Sequence, residues 1–125
     1  MIDISPPSPA TTPQSTVVDM VRAAAHAAPE QEALVCGETR LSWGQFDARI
    51  NRVANALLAL GVAKGERVAV LSPNSAAYAE LFMGILRAGA CVTPLSTMAA
   101  PEALKKMLVD CDARVLILAD QYRHL

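Results

Sequence analysis

Arg67-Val-Ala-Val-Leu71, Cys91-Val-Thr-Pro-Leu95 and Arg114-Val-Leu-Ile-Leu-Ala119 are the stretches that decide the fold. The first and third lack polar alternation, as strands do when both faces are covered. Between the three lie two segments with helical spacing. Residues 76–88 place Tyr78, Leu81, Phe82 and Ile85 on one face, opened by Ser72-Pro73-Asn74-Ser75 and closed by Gly89. The next helix starts at Pro101, a residue suited to a first helical position, with Leu104, Met107 and Leu108 inward. Strand, helix, strand, helix, strand predicts an α/β fold with a three-layer parallel sheet and right-handed crossovers. Pro94 cannot donate to a ladder, so it marks a strand end or a sheet edge.

Upstream, residues 42–60 form the clearest helix. Ser42-Trp43-Gly44-Gln45 fits a capping box. Phe46, Ile50, Val53, Leu57 and Leu60 form one apolar stripe, while Asp47, Arg49, Arg52 and Asn55 lie largely off it. Gly61 is a natural residue to follow the helix end. Residues 33–36 and 39–42 are short β-prone runs joined by Gly37-Glu38, a link suited to a type II′ hairpin. A first helix runs from about Thr16, capped with Asp19, to Ala28, with Val17, Val21, Ala24 and Ala28 on one face and Pro29 as the stop. Residues 1–15 are rich in Pro, Ser and Thr and read as a flexible tail. Residues 16–125 read as one subdomain. Asp120 is a candidate cap for a further helix, within one turn of which the sequence stops.

Composition narrows the function classes. Hydrophobic residues make up 53% of the 125 and aromatic ones only 4%, so aliphatic packing must dominate the core. Eleven basic and twelve acidic residues leave a net charge of −1. No basic run interleaves with aromatics, so nucleic acid is not an expected partner. The chain carries no uninterrupted apolar run of about 18 residues, so no transmembrane segment is expected. Residues 1–9 lack the charge and apolar core of a signal peptide. Cys36, Cys91 and Cys111 are too far apart for a Cys-x-x-Cys motif and read as reduced thiols. A cytoplasmic protein is the expectation.

Motifs that carry chemistry are scarce. There is no phosphate-cradling Gly-rich motif and no nucleophile elbow. The corner Ser72–Ser75 is the best candidate site, because ligands of open α/β sheets bind beyond the carboxyl ends of strands. The same residue types also serve routinely as caps and turns. His26 suits the dipole near a helix end, and neither it nor His124 has a partner at ligand or triad spacing. Asp110 and Asp112 flank Cys111 without a third ligand. Gly65 reads as a loop residue, and Gly84 lets its helix approach a neighbour. The residues alone therefore nominate no catalytic, cofactor-binding or metal-binding position.

Three stretches resemble the start of the adenylate-forming (AMP-binding) superfamily. Leu41-Ser42-Trp43-Gly44-Gln45-Phe46 is similar to its first core motif, usually Leu-Thr/Ser-Tyr-x-Glu-Leu, with Trp, Gln and Phe as mild departures. Asn51–Leu57 and Leu60–Val70 resemble the helix, loop and strand that follow there. Leu86-Arg87-Ala88-Gly89-Ala90-Cys91-Val92-Thr93-Pro94-Leu95 resembles the second core motif, usually Leu-Lys-Ala-Gly-Ala-x-x-Val-Pro-Leu, with Thr93 where Val is common. The resemblance covers about residues 16–120 in unbroken order. It is nearest to AMP-forming acyl-CoA synthetases.

The resemblance implies a parent enzyme that uses ATP, Mg and coenzyme A on a carboxylic acid substrate. It also implies that the ATP-gripping loop, the ribose-binding acid and the catalytic lysine lie in later sequence, so this chain alone is expected to be inactive and to bind none of these cofactors. The alternatives are an amino-acid-activating domain that loads a carrier protein and a non-catalytic α/β binding module. As an N-terminal fragment, the chain is expected to expose apolar surface and to self-associate.

Overall fold

The computed structural model describes residues 16–125, so the expected tail at 1–15 lies outside the described residues. The chain runs α1 (Val17–Ala27), β1 (Glu32–Cys36), β2 (Thr39–Ser42), α2 (Trp43–Ala59), β3 (Arg67–Leu71), α3 (Ala76–Arg87), β4 (Cys91–Pro94), α4 (Pro101–Cys111), β5 (Val115–Leu118) and a 3-10 turn at Asp120–Tyr122. β1 and β2 form an antiparallel hairpin. The other three strands form a separate parallel sheet in the order β4-β3-β5. The α/β class, the parallel sheet and the hairpin are as the sequence predicts.

The chain leaves β3 in one direction to reach β4, then crosses back over β3 to reach β5. Crossovers of constant hand in opposite directions put successive helices on opposite faces. The side chains agree. Val68 and Val70 on β3, with Val92, Val115 and Ile117 beside them, pack against Leu57, Val62, Ile85 and Ala90 of the α2–α3 layer. Leu71, Leu116 and Leu118 instead line a space against Leu104 and Leu108 of α4. A second cluster, Leu41, Phe46 and Ile50, holds the hairpin and α1 to the outside of α2 and α3, with Val21, Trp43 and Met83 packed on it.

Local chemistry sets most element ends. At α1 the Asp19 amide donates to Thr16 Oγ1 (3.1 Å) and the Thr16 amide donates to Asp19 Oδ2 (3.0 Å), a complete capping box. Ser42 and Gln45 repeat it at α2, with distances of 3.2 and 2.9 Å. The amides of Trp43 and Gly44 donate to the carbonyls of Gln31 (2.9 Å) and Pro29 (3.0 Å), so the first three donors of α2 are all satisfied. Both α2 and α3 end in the same paired pattern. The Gly61 amide donates to Leu58 and that of Val62 to Leu57; the Gly89 amide donates to Leu86 and that of Ala90 to Ile85. These are Schellman motifs, with Gly61 at φ 85° and Gly89 at φ 83°. In the hairpin, φ is positive at Gly37 (60°) and not at Glu38, the signature of a type II′ turn.

Several expectations need correction. Leu60 is 71% exposed rather than part of the α2 stripe. It is the C-cap, where the chain turns away, and Val62 takes its place against Leu57. Ala54 is buried instead. Val17 is exposed, because the cluster under α1 reaches only as far as Val21. Met107 is 39% exposed, since α4 presents Leu104 and Leu108 to the sheet. β5 is not covered on both faces: it is an edge strand with α4 alone on its second side, and Leu116 and Leu118 stay 39% and 37% exposed. Asp120 caps no helix; the 3-10 turn starts from Ala119 without a side-chain bond. β3, in the middle, is the strand buried on both faces, and Pro94 closes the edge strand β4.

Candidate functional site

The carboxyl ends of the three parallel strands meet at one side of the sheet. Leu71 leads into Ser72-Pro73-Asn74-Ser75 and then α3; Leu118 leads into Ala119 and the 3-10 turn. The Ala119 amide donates to the Leu71 carbonyl (2.9 Å) and the Leu95 amide to that of Val70 (2.8 Å), extending the ladders past the strand ends. Because the crossovers reverse at β3, the β3–β5 junction is the topological switch point, where doubly wound folds open a crevice. The corner singled out in the sequence therefore occupies the expected place.

Its side chains are engaged locally. Ser75 is the N-cap of α3, its Oγ accepting from the Tyr78 amide (3.0 Å). The Ser72 hydroxyl donates to the Pro73 carbonyl (2.9 Å). Asn74 is exposed. Beside the corner, under α4, lies an apolar cavity of about 240 Å³ lined by Leu71, Leu95, Leu104, Leu108, Leu116 and Leu118, with Glu102 and Lys105 among its other neighbours. This arrangement offers a shaped, apolar wall and a few hydroxyls.

The other sequence candidates stay apart. His26 lies exposed in the last turn of α1, and His124 is exposed beyond the 3-10 turn. Asp110 and Asp112 are both exposed. Asp112 adopts a left-handed conformation (φ 52°) as the C-cap of α4, a structural duty that the sequence did not signal. Cys36, Cys91 and Cys111 are free thiols. Among the described residues, no group of three or more His, Cys, Asp or Glu side chains is placed to hold a metal ion. No described helix is long and apolar enough to cross a membrane.

Two charged arrangements escaped the sequence reading. Glu66, in the loop before β3, accepts from the Ala63 amide (3.1 Å) and from Arg114 Nη1 (2.7 Å). The Ala63 hydrogen bond first, and Arg114 second, hold its carboxyl below the usual glutamate range. Arg87, its side chain only 5% exposed, lies with Nη1 2.8 Å from Asp47 Oδ1. The same nitrogen donates to the Asp47 carbonyl (3.2 Å) and to Asn51 Oδ1 (3.0 Å). Arg87 Nε and Nη2 have no hydrogen-bond partner, and the carboxylate contact itself lies off the hydrogen-bonding line. Both arrangements join residues at least 36 positions apart, except within the Ala63–Glu66 loop. They tie elements together and face no crevice described above.

The family model for AMP-binding enzymes matches residues 21–124. The chain belongs to the AMP-binding enzyme family. It is 39% identical over 100 residues to the long-chain-fatty-acid–CoA ligase FadD13 of Mycobacterium tuberculosis, covering 78% of this chain and 20% of that protein. It is 35% identical over 96 residues to the 3-hydroxybenzoate–CoA/4-hydroxybenzoate–CoA ligase of Thauera aromatica, covering 77% of this chain and 18% of that one. Among solved structures it resembles the N-terminal domain of FACL13 from Mycobacterium tuberculosis, with a TM-score of 0.84, 34% identity, and 89% and 28% of the two chains covered. The chain thus spans about a fifth of the length of the curated relatives it matches. In this member of the AMP-binding enzyme family both core motifs perform structural work. The first is the end of β2 and the cap of α2, and the second is the end of α3, its Schellman turn and β4.

Proposed function

We propose that this chain is the N-terminal part of an AMP-forming acyl-CoA synthetase. The parent enzyme joins a carboxylate oxygen to the α-phosphate of Mg-bound ATP, releasing pyrophosphate. It then passes the acyl group from the acyl-adenylate to the coenzyme A thiol, releasing AMP. Residues 16–125 act in this reading as scaffold: they build the first three strands of a substrate-bearing sheet and supply no catalytic residue. The observation that carries the proposal is the ordered match across residues 21–124, together with relatives named as CoA ligases.

The carboxylic acid is fatty or aromatic, since relatives of both kinds match to a similar extent. Such chemistry depends chiefly on electrostatic stabilisation of the transferring phosphoryl group. The described corner offers two locally engaged serines and the exposed Asn74 amide, and no cation, for that purpose, which supports the reading that the chain alone is inactive. A cytoplasmic location fits a ligase dependent on ATP and coenzyme A.

Two measurements test the proposal. The purified chain should give no carboxylate-dependent pyrophosphate exchange. A chimera in which residues 16–120 replace the matching segment of FadD13 should fold and keep fatty-acid-dependent exchange within about tenfold of the parent, as a shared scaffold allows. Exchange by the isolated chain, or a folded but inactive chimera, would refute the scaffold role.

A further inference from the structure

We draw no further inference here: the strongest candidate, the apolar cavity under α4 between Leu71, Leu104, Leu108, Leu116 and Leu118, belongs to the site already described and opens along the edge strand β5, where nothing in the structure shows what covers it.

Discussion

Gly84 of α3 lies against Val53 of α2, so close that a Cβ built on Gly84 would fall 2.5 Å from Val53 Cβ. Helix backbone therefore meets a β-branched side chain that has little rotamer freedom with which to yield. Gly84→Ala gains up to about 1 kcal/mol of helix propensity. The overlap should outweigh it, since overpacking a well-filled core typically costs about 1–3 kcal/mol. A net destabilisation is expected in urea unfolding. Adding Val53→Ala should recover part of it, and a stabilised single variant would contradict the close approach.

The Arg87–Asp47 pair supports a second prediction. Removing Asp47 alone leaves a guanidinium that is 5% exposed with no opposing carboxylate. Breaking a buried pair typically costs about 3–5 kcal/mol; Asp47 is 23% exposed, which places Asp47→Ala at or below the lower end of that range. Replacing both residues, as in Asp47→Leu with Arg87→Met, should cost less than the single change. Chemical denaturation of the three variants gives the comparison, and a double variant no better than Asp47→Ala would show that the charge pair is not the source.

Acid stability follows from Glu66 and Asp19. Both carboxyls are held below their usual values, Glu66 chiefly by the Ala63 amide and Asp19 chiefly by the Thr16 amide. A carboxylate whose pKa is lower folded than unfolded adds stability at neutral pH. That stability starts to fall as pH drops through the unfolded value, about 4.3 for Glu and 3.9 for Asp, and is gone below the folded value. Glu66→Gln should lower the unfolding midpoint at pH 7 and converge with the unaltered protein at strongly acid pH. Equal separation of the two curves at pH 7 and at pH 2 would rule out the linkage. Asp19 is exposed and Glu66 half-buried, so salt should diminish the effect, more strongly at Asp19.

The left-handed positions at helix ends give a paired test. Gly61→Ala and Gly89→Ala impose a side chain on backbone at φ 85° and 83°, at a cost of about 1–2 kcal/mol each. Asp112→Gly, at φ 52°, relieves the same kind of strain and should be neutral or stabilising. Thermal unfolding should fall for the two Gly→Ala changes and not for Asp112→Gly, and a loss at Gly61→Ala no larger than at an exposed mid-helix site would speak against the Schellman ending.

The sequence by itself determined what depends on neighbours within about four residues. Thr16 with Asp19 and Ser42 with Gln45 close capping boxes between positions three apart, and Gly61 and Gly89 turn the chain wherever their helices stop. Short apolar runs without polar alternation named the parallel strands, the 3.6-residue period named the helices, and the strand-to-helix passage at Ser72–Ser75 marked that corner as the candidate site. Only the tertiary structure decided what spans distant segments. The order β4-β3-β5 makes β5 an edge and opens Leu116 and Leu118, although their apolar run reads like that of the buried β3. Asp47, which the helical period put off the apolar stripe, meets Arg87 forty residues later. The physical reason is the same throughout. Caps and turns are hydrogen bonds whose partners are fixed by short chain separation. Burial and charge pairing depend on which other surface arrives, and that is settled by packing of the whole chain.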